Sequence, residues 1–214
     1  VFCAASLGAA VEKTAALEGI AIALNLGGSN ALVRQAALGA SPDLLLLAGD
    51  SEANNHLAPR GYQMRNFASN ELVVIEPKTA PRTVSRQFPA VLTEAAEIAV
   101  ADVATAPLGT YTEDSLKSLG PTKAKRIPLQ SAQAVLSSVA MGHASLGIVY
   151  RTDALSETRV RVVCAIASNS HRPITYVAAL PPNASPQARQ LVESLISGQG
   201  QKVLAGLGFL PAQD

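Results

Sequence analysis

Gly27-Gly28-Ser29-Asn30-Ala31-Leu32-Val33-Arg34-Gln35 lies between two apolar segments, Ile20 to Leu26 before it and Leu44-Leu45-Leu46-Leu47 after it, and the reading of these three pieces decides the fold. Ile20 to Leu26 reads as a strand, and the glycine pair breaks it. Ser29 then stands where an N-cap belongs, and Leu32, Val33 and Ala36 fall on one side of the predicted helix before Gly39 stops it. Leu44 to Leu47 is apolar at every position, the mark of a strand in a parallel sheet covered on both faces. Upstream the same unit occurs once more. Val1 to Ala4 reads as a strand, Ser6 as an N-cap, and Leu7, Ala10, Val11 and Leu17 as the apolar stripe of a helix ending at Gly19. The chain therefore opens as β-α-β-α-β.

Downstream, Glu71 to Ile75 is strand-like, and Pro77, Pro81 and Pro89 punctuate a passage suited to a crossing between lobes. A second α/β set follows: Ile98 to Ala101 (strand), Leu108 to Leu119 (helix), Ser131 to Ala140 (helix) and Leu146 to Tyr150 (strand). Ile174 to Leu180 is a further strand. After it Ser185 caps and Pro186 opens a helix carrying Leu191, Val192, Leu195 and Ile196, and a last helix runs over Gln199 to Ala205. The predicted architecture is α/β and two-lobed. Residues 1–75 and 178–214 form lobe I and residues 76–177 form lobe II, each a mostly parallel sheet flanked by helices, with a ligand cleft between them.

The 214 residues are 48% hydrophobic and only 15% charged, which excludes a disordered chain. A net charge of +1 with no run of like charges advertises no nucleic-acid surface. No apolar run approaches the roughly 18 residues of a membrane-spanning helix. The chain opens directly on a strand, so any export signal is expected to have been removed or to lie outside this sequence. Cys3 and Cys164 have no metal-ligand spacing and sit in apolar strand-like stretches, where buried free thiols are common.

Ser6 and Ser29 each stand where a strand hands over to a helix, so their hydroxyls and the following N–H groups point out of the carboxyl edge of the sheet. Two helix N-termini there suit an anion without any Lys or Arg. Gly27-Gly28-Ser29-Asn30-Ala31 also resembles a G-x-S-x-G nucleophile elbow, with Asp153 and His171 following in triad order. His171 lies in the polar turn Ser168 to Pro173, however, and His56 and His143 are in loop or helix-end settings, so surface histidines are the simpler reading. Asp102 and Asp153 are single carboxylates after strands and read as caps. No phosphate-loop motif occurs. Tyr150 ends a strand and brings its hydroxyl to the rim of the second lobe's sheet.

With those residues in view, the chain resembles the periplasmic molybdate-binding proteins of ABC transporters over essentially its whole length. Val1-Phe2-Cys3-Ala4-Ala5-Ser6-Leu7 is similar to the family's VFAAASL, and Gly27 to Gln35 to its second serine motif. Asp102 to Tyr111 is similar to D-P-x-x-V-P-A-G-x-Y, Gly147 to Ala154 to G-I-V-Y-x-T-D-A, and Gly208-Phe209-Leu210-Pro211 to the terminal G-F-L-P. The resemblance implies an oxyanion held by the Ser6 and Ser29 hydroxyls and backbone, the N–H groups of Leu108 and Ala132, and the Tyr150 hydroxyl. Ser6, Ser29 and Tyr150 would touch only the oxyanion's oxygens and make no direct bond to molybdenum. Leu108 and Ala132 replace a usual alanine and valine, Ser131 and Gln133 replace Asn/Asp and Arg, and Leu47-Ala48-Gly49-Asp50 stands for a usual S-A-D. The segment from Pro121 to Pro128 is shorter than in the family.

The resemblance further implies an extracytoplasmic, periplasmic monomer without a cofactor or enzymatic activity, which captures molybdate or tungstate and passes it to a permease. A cage fitted to long metal–oxygen bonds would leave sulfate under-coordinated, at about 1.5–3 kcal/mol for each charged hydrogen bond lost. The alternatives are a serine hydrolase using Ser29, a cytosolic ligand-sensing domain, and a binder of another tetrahedral oxyanion such as sulfate. Fluorophosphonate treatment separates the hydrolase from the rest: no adduct is expected, and an adduct lost in Ser29→Ala would establish the hydrolase.

Overall fold

The computed structural model describes residues 1–49, 51–82, 87–118 and 123–212. Asp50, Leu119 and Pro121, which figure in the sequence reading, lie outside them. In chain order the elements are β1 (Phe2–Ala4), α1 (Gly8–Leu17), β2 (Asn25–Gly27), α2 (Ser29–Ala37), β3 (Leu45–Ala48), α3 (Ser51–His56) and β4 (Gln63–Ser69). Next come β5 (Leu72–Pro77), α4 (Ala90–Glu94), β6 (Glu97–Ala101), α5 (Pro107–Ser118), β7 (Lys125–Leu129), α6 (Ala132–Ala140), β8 (Gly147–Tyr150), α7 (Arg151–Ser156) and β9 (Val160–Ala165). The chain closes with β10 (Thr175–Leu180), α8 (Pro186–Ser197) and α9 (Gln199–Gly206).

Two compact units result, Val1–Ser69 with Ile174–Asp214, and Asn70–Pro173. The strand expected at 71–75 thus belongs to the second unit rather than to lobe I, because Leu72–Pro77 pairs with β8 and β9. The return falls at 174 rather than 178, because the whole of β10 pairs with β3 and β4.

Each unit is one five-stranded sheet flanked by helices, in the orders β2-β1-β3-β10-β4 and β7-β6-β8-β5-β9. In both, three neighbouring strands are parallel and a fourth runs against them. The fifth strand, β4 or β9, pairs antiparallel with that one, so four of the five strands in each sheet run the same way, a mixed sheet that is mostly parallel in strand direction as expected. The antiparallel strand is in each case the one entered from a chain crossing: β5 begins just after Asn70 and β10 just after Ile174.

Leu44 to Leu47 are fully buried, as an all-apolar strand demands. Leu45 and Leu47 pack with Leu32, Val33 and Ala36 of α2 and Ala53 of α3. By the alternation of a strand, Leu44 and Leu46 face the other side, where α1, α8 and α9 pack on one another. The helix stripe read for α1 is partly displaced: Leu7, Ala10 and Val11 are buried, but Leu17 is 58% exposed and Thr14 and Ala15 take its place inside. Ser185 caps α8 as expected, accepting from the Ala188 N–H at 3.2 Å. Cys3 is buried in β1 and its thiol is pushed up to about 12 by desolvation, and Cys3 and Cys164 are not joined in a disulfide.

In the second sheet, Glu76 of β5 is buried and meets Arg161 of β9 at 2.6 Å. The same guanidinium donates to the carbonyls of Lys78 and Ala80 at 2.8 and 2.7 Å, fixing the chain as it leaves β5. Removing one member strands the other charge in a poorly solvated place. Glu76→Ala is expected to destabilise the second unit by about 3 kcal/mol, read from urea unfolding.

Candidate functional site

In the first unit, register brings the two candidate serines to one edge. Ala4 of β1 pairs with Gly27 of β2, and Ser6 and Ser29 each stand two positions further along. Neither serine is an N-cap, contrary to the sequence reading. Ser6 is exposed in a 3-10 turn, Ala5–Leu7, inserted between β1 and α1. Gly28 takes the cap position of α2, so Ser29 is the first helical residue. Its Oγ instead accepts the N–H of Ala48 at the end of β3, at 2.8 Å. Since β1 lies between β2 and β3, this bond passes over the carboxyl end of β1, where the turn with Ser6 stands. With its oxygen engaged by an N–H, the Ser29 hydroxyl keeps its own proton to donate outward.

The second unit repeats the plan with β7, β6 and β8. Leu108 is the second residue of α5 after β6, and Ala132 the first of α6 after β7. Their N–H groups belong to first turns, where no helical carbonyl serves them. Gly109 lets α5 approach: a Cβ there would lie 2.6 Å from the backbone carbon of Asp102. The Asp102 carboxylate accepts from Ala104 N–H at 2.8 Å, and the Thr105 hydroxyl donates to the Gln130 carbonyl at 2.9 Å, which ties the loop before α5 to the loop before α6. Asp102 thus braces its own turn rather than capping the helix. Ser131 is the cap of α6, accepting from Ala134 N–H at 3.1 Å.

Tyr150 ends β8, partly exposed, and its ring meets that of Tyr111 on α5 edge-on, with centroids 6.3 Å apart. Tyr111 in turn meets His171 edge-on at 6.1 Å. Sequence reasoning missed this pairing of Tyr150 with Tyr111, although Tyr111 closes one of the motifs quoted above. It missed the Ala48 N–H altogether, since nothing local in sequence links residue 48 to residue 29.

The triad reading finds no support in these positions. Ser29 Oγ is engaged by the Ala48 N–H at 2.8 Å. His171 Nδ1 lies 2.7 Å from the Arg172 carbonyl, and Nε2 is buried without a hydrogen-bond partner among the described residues. The Arg172 guanidinium binds Asp114 at 2.7 Å and holds that carboxyl below its usual range. Asp153 lies in the first turn of α7, and burial raises its carboxyl to about 6. No cluster of three or more His, Cys, Asp or Glu fit for a metal ion exists among the described residues, nor any helix long and apolar enough to cross a membrane.

The chain matches the model of the bacterial extracellular solute-binding proteins over residues 1–210 and belongs to that family, whose members bind solutes and are not enzymes. It is 26% identical over 227 residues to the molybdate-binding protein of Escherichia coli K12, a match that covers 98% of this chain and 87% of that one. It is 29% identical over 198 residues to a Bacillus subtilis protein described as an ABC transporter substrate-binding lipoprotein, covering 89% and 75%. In structure it is similar to a domain described as the substrate-binding domain of a molybdenum ABC transporter from Clostridium difficile, with a TM-score of 0.84, 24% identity, and 99% and 97% of the two chains covered.

The raised carboxyl of Asp153 makes a pH prediction. Its folded value lies above its unfolded one, so the folded protein takes up this proton first. The cost of holding Asp153 ionised is then fully present above about pH 6 and is relieved as pH falls towards 4. Asp153→Asn is expected to raise stability by roughly 2–3 kcal/mol at pH 7 and by little at pH 4, measured by thermal unfolding at both pH values.

Proposed function

We propose that this protein captures molybdate or tungstate in an extracytoplasmic space and delivers it to an ABC transporter permease. The observation that carries the reading is the donor set at the two strand edges. Ser6, Ser29 with its oxygen held by Ala48, the first-turn amides of Leu108 and Ala132, and Tyr150 are all neutral. Such a set matches a dianion that brings only acceptor oxygens, and it needs no counter-charge when every oxygen is met by a fixed dipole. Similarity to proteins named for molybdate supports the choice of anion. In this reading Leu108 and Ala132 act through backbone, so that their departure from the usual residues changes packing and leaves the donors in place.

Each donor is worth more here than in a neutral contact, because its partner carries charge. Tyr150→Phe removes one and is expected to weaken molybdate binding by about 1–3 kcal/mol with the unfolding transition unchanged. Isothermal titration of the ligand-stripped protein with molybdate, tungstate, sulfate and phosphate tests the whole reading. Heat with the first two alone is the expected result. Preference for sulfate or phosphate would keep an oxyanion site and overturn the size argument, and silence with all four would overturn the function.

A further inference from the structure

Behind Tyr150 stands a row of rings that no donor role accounts for. Tyr150 meets Tyr111 edge-on at 6.3 Å and 70°, and Tyr111 meets His171 edge-on at 6.1 Å and 72°. The three rings come from three separate pieces of the second unit: the end of β8, the second turn of α5, and the turn that precedes the crossing at Ile174. That last turn is tied to α5 by two further contacts. Arg172 binds Asp114 through Nε at 2.7 Å and through its terminal nitrogen at 3.3 Å, and the Ser170 hydroxyl meets that of Ser115 at 3.2 Å. His171 is therefore held to the helix that carries Tyr111 from both sides of its own position.

We propose that Tyr111 and His171 are positioning residues for Tyr150, fixing the ring whose hydroxyl is offered to the bound oxyanion. This rests on the reading of Tyr150 as an oxyanion donor. A tyrosine side chain has two rotatable angles with a small set of allowed wells, and contact along the ring selects among them. The row supplies that contact, since edge-to-face aromatic pairs have a preferred geometry that resists ring rotation. The state of His171 points to the ring rather than to its nitrogens. A carbonyl can only accept, so the Nδ1 facing Arg172 carries the proton, and the buried Nε2 is left with no partner among the described residues. A phenyl ring in its place loses nothing at that atom.

The sequence makes the test direct, because the protein has four tyrosines and no tryptophan. Tyr62 and Tyr176 lie in the first unit, and Tyr111 and Tyr150 in the second. Protein labelled with ring-carbon-13 tyrosine gives four assignable signals. In the molybdate-free protein, His171→Ala is expected to move the Tyr150 signal while those of Tyr62 and Tyr176 stay in place. The same variant is expected to weaken molybdate binding about three- to tenfold in calorimetry, and to add less than about twofold once Tyr150→Phe is already present. His171→Phe, which restores a ring, is expected to return both the signal and the affinity. Should His171→Ala lose its fold, His171→Asn is read the same way, since it deletes the ring and keeps a donor towards the Arg172 carbonyl. A Tyr150 signal unmoved by loss of the His171 ring overturns the proposal, as do effects of the two substitutions that simply multiply. If the wild-type protein takes up no molybdate, the functional reading falls, and the ring signals of the free protein alone decide the positioning role.

Discussion

A parallel strand that runs into a helix must turn at its carboxyl end, and the first amides of that helix are left without carbonyl partners. This single constraint organises both units. In the first sheet it gathers the ends of β2, β1 and β3, and in the second those of β7, β6 and β8. Each triplet places helix first turns along one edge, and Ser6, Ser29 and Tyr150 stand on those same edges. Positive character there comes from backbone geometry and needs no Lys or Arg. A chain with only 15% charged residues can therefore present a site suited to an anion.

The units achieve this with different local means. In the first, the second serine is fixed by a bond from a strand two places away in the sheet, the Ala48 N–H, so its orientation depends on the sheet being complete. In the second, the two helix starts are fixed to each other through Asp102, Thr105 and the close approach at Gly109, and the tyrosine is braced by rings. The helices that carry the donors are anchored to apolar strands below them. Gly147 shows how tightly: a Cβ there would lie 2.7 Å from a methyl of Val139, so α6 sits directly on β8.

Those elements were legible where a whole segment is buried or sharply punctuated. Leu44 to Leu47 announces β3 because both faces are covered, and Ser185-Pro186 announces α8 because cap and first-turn chemistry are local. β4 and β7 were not legible. Gln63–Ser69 is exposed in its first half and buried in its second, and Lys125–Leu129 is an edge strand with a proline, so neither carries a period-two stripe. Ile20 to Leu24 reads as strand but lies outside β2, which keeps only Asn25–Gly27 at the sheet edge. The placement of Ser6 and Ser29 where strand hands over to helix was legible, while the expectation that they cap those helices was wrong. A cap is decided by one residue of register, and Gly28 occupies the place that Ser29 was expected to fill.

The order of strands has a consequence for how the chain matures. The second unit is one continuous stretch, Asn70–Pro173, and every strand it needs is present once that stretch exists. The first unit is interrupted. Its β4 pairs along its length only with β10, which arrives after residue 174, and β3 waits for the same strand on its open side. Until then both present unpaired backbone, the state in which strands invite wrong partners. Closing the first sheet also brings together segments separated by the whole second unit, so its assembly is the slower, non-local step. The part of the chain that is made first is thus the part that finishes last, and its exposed strand edges make that interval the one in which the protein most needs protection from aggregation.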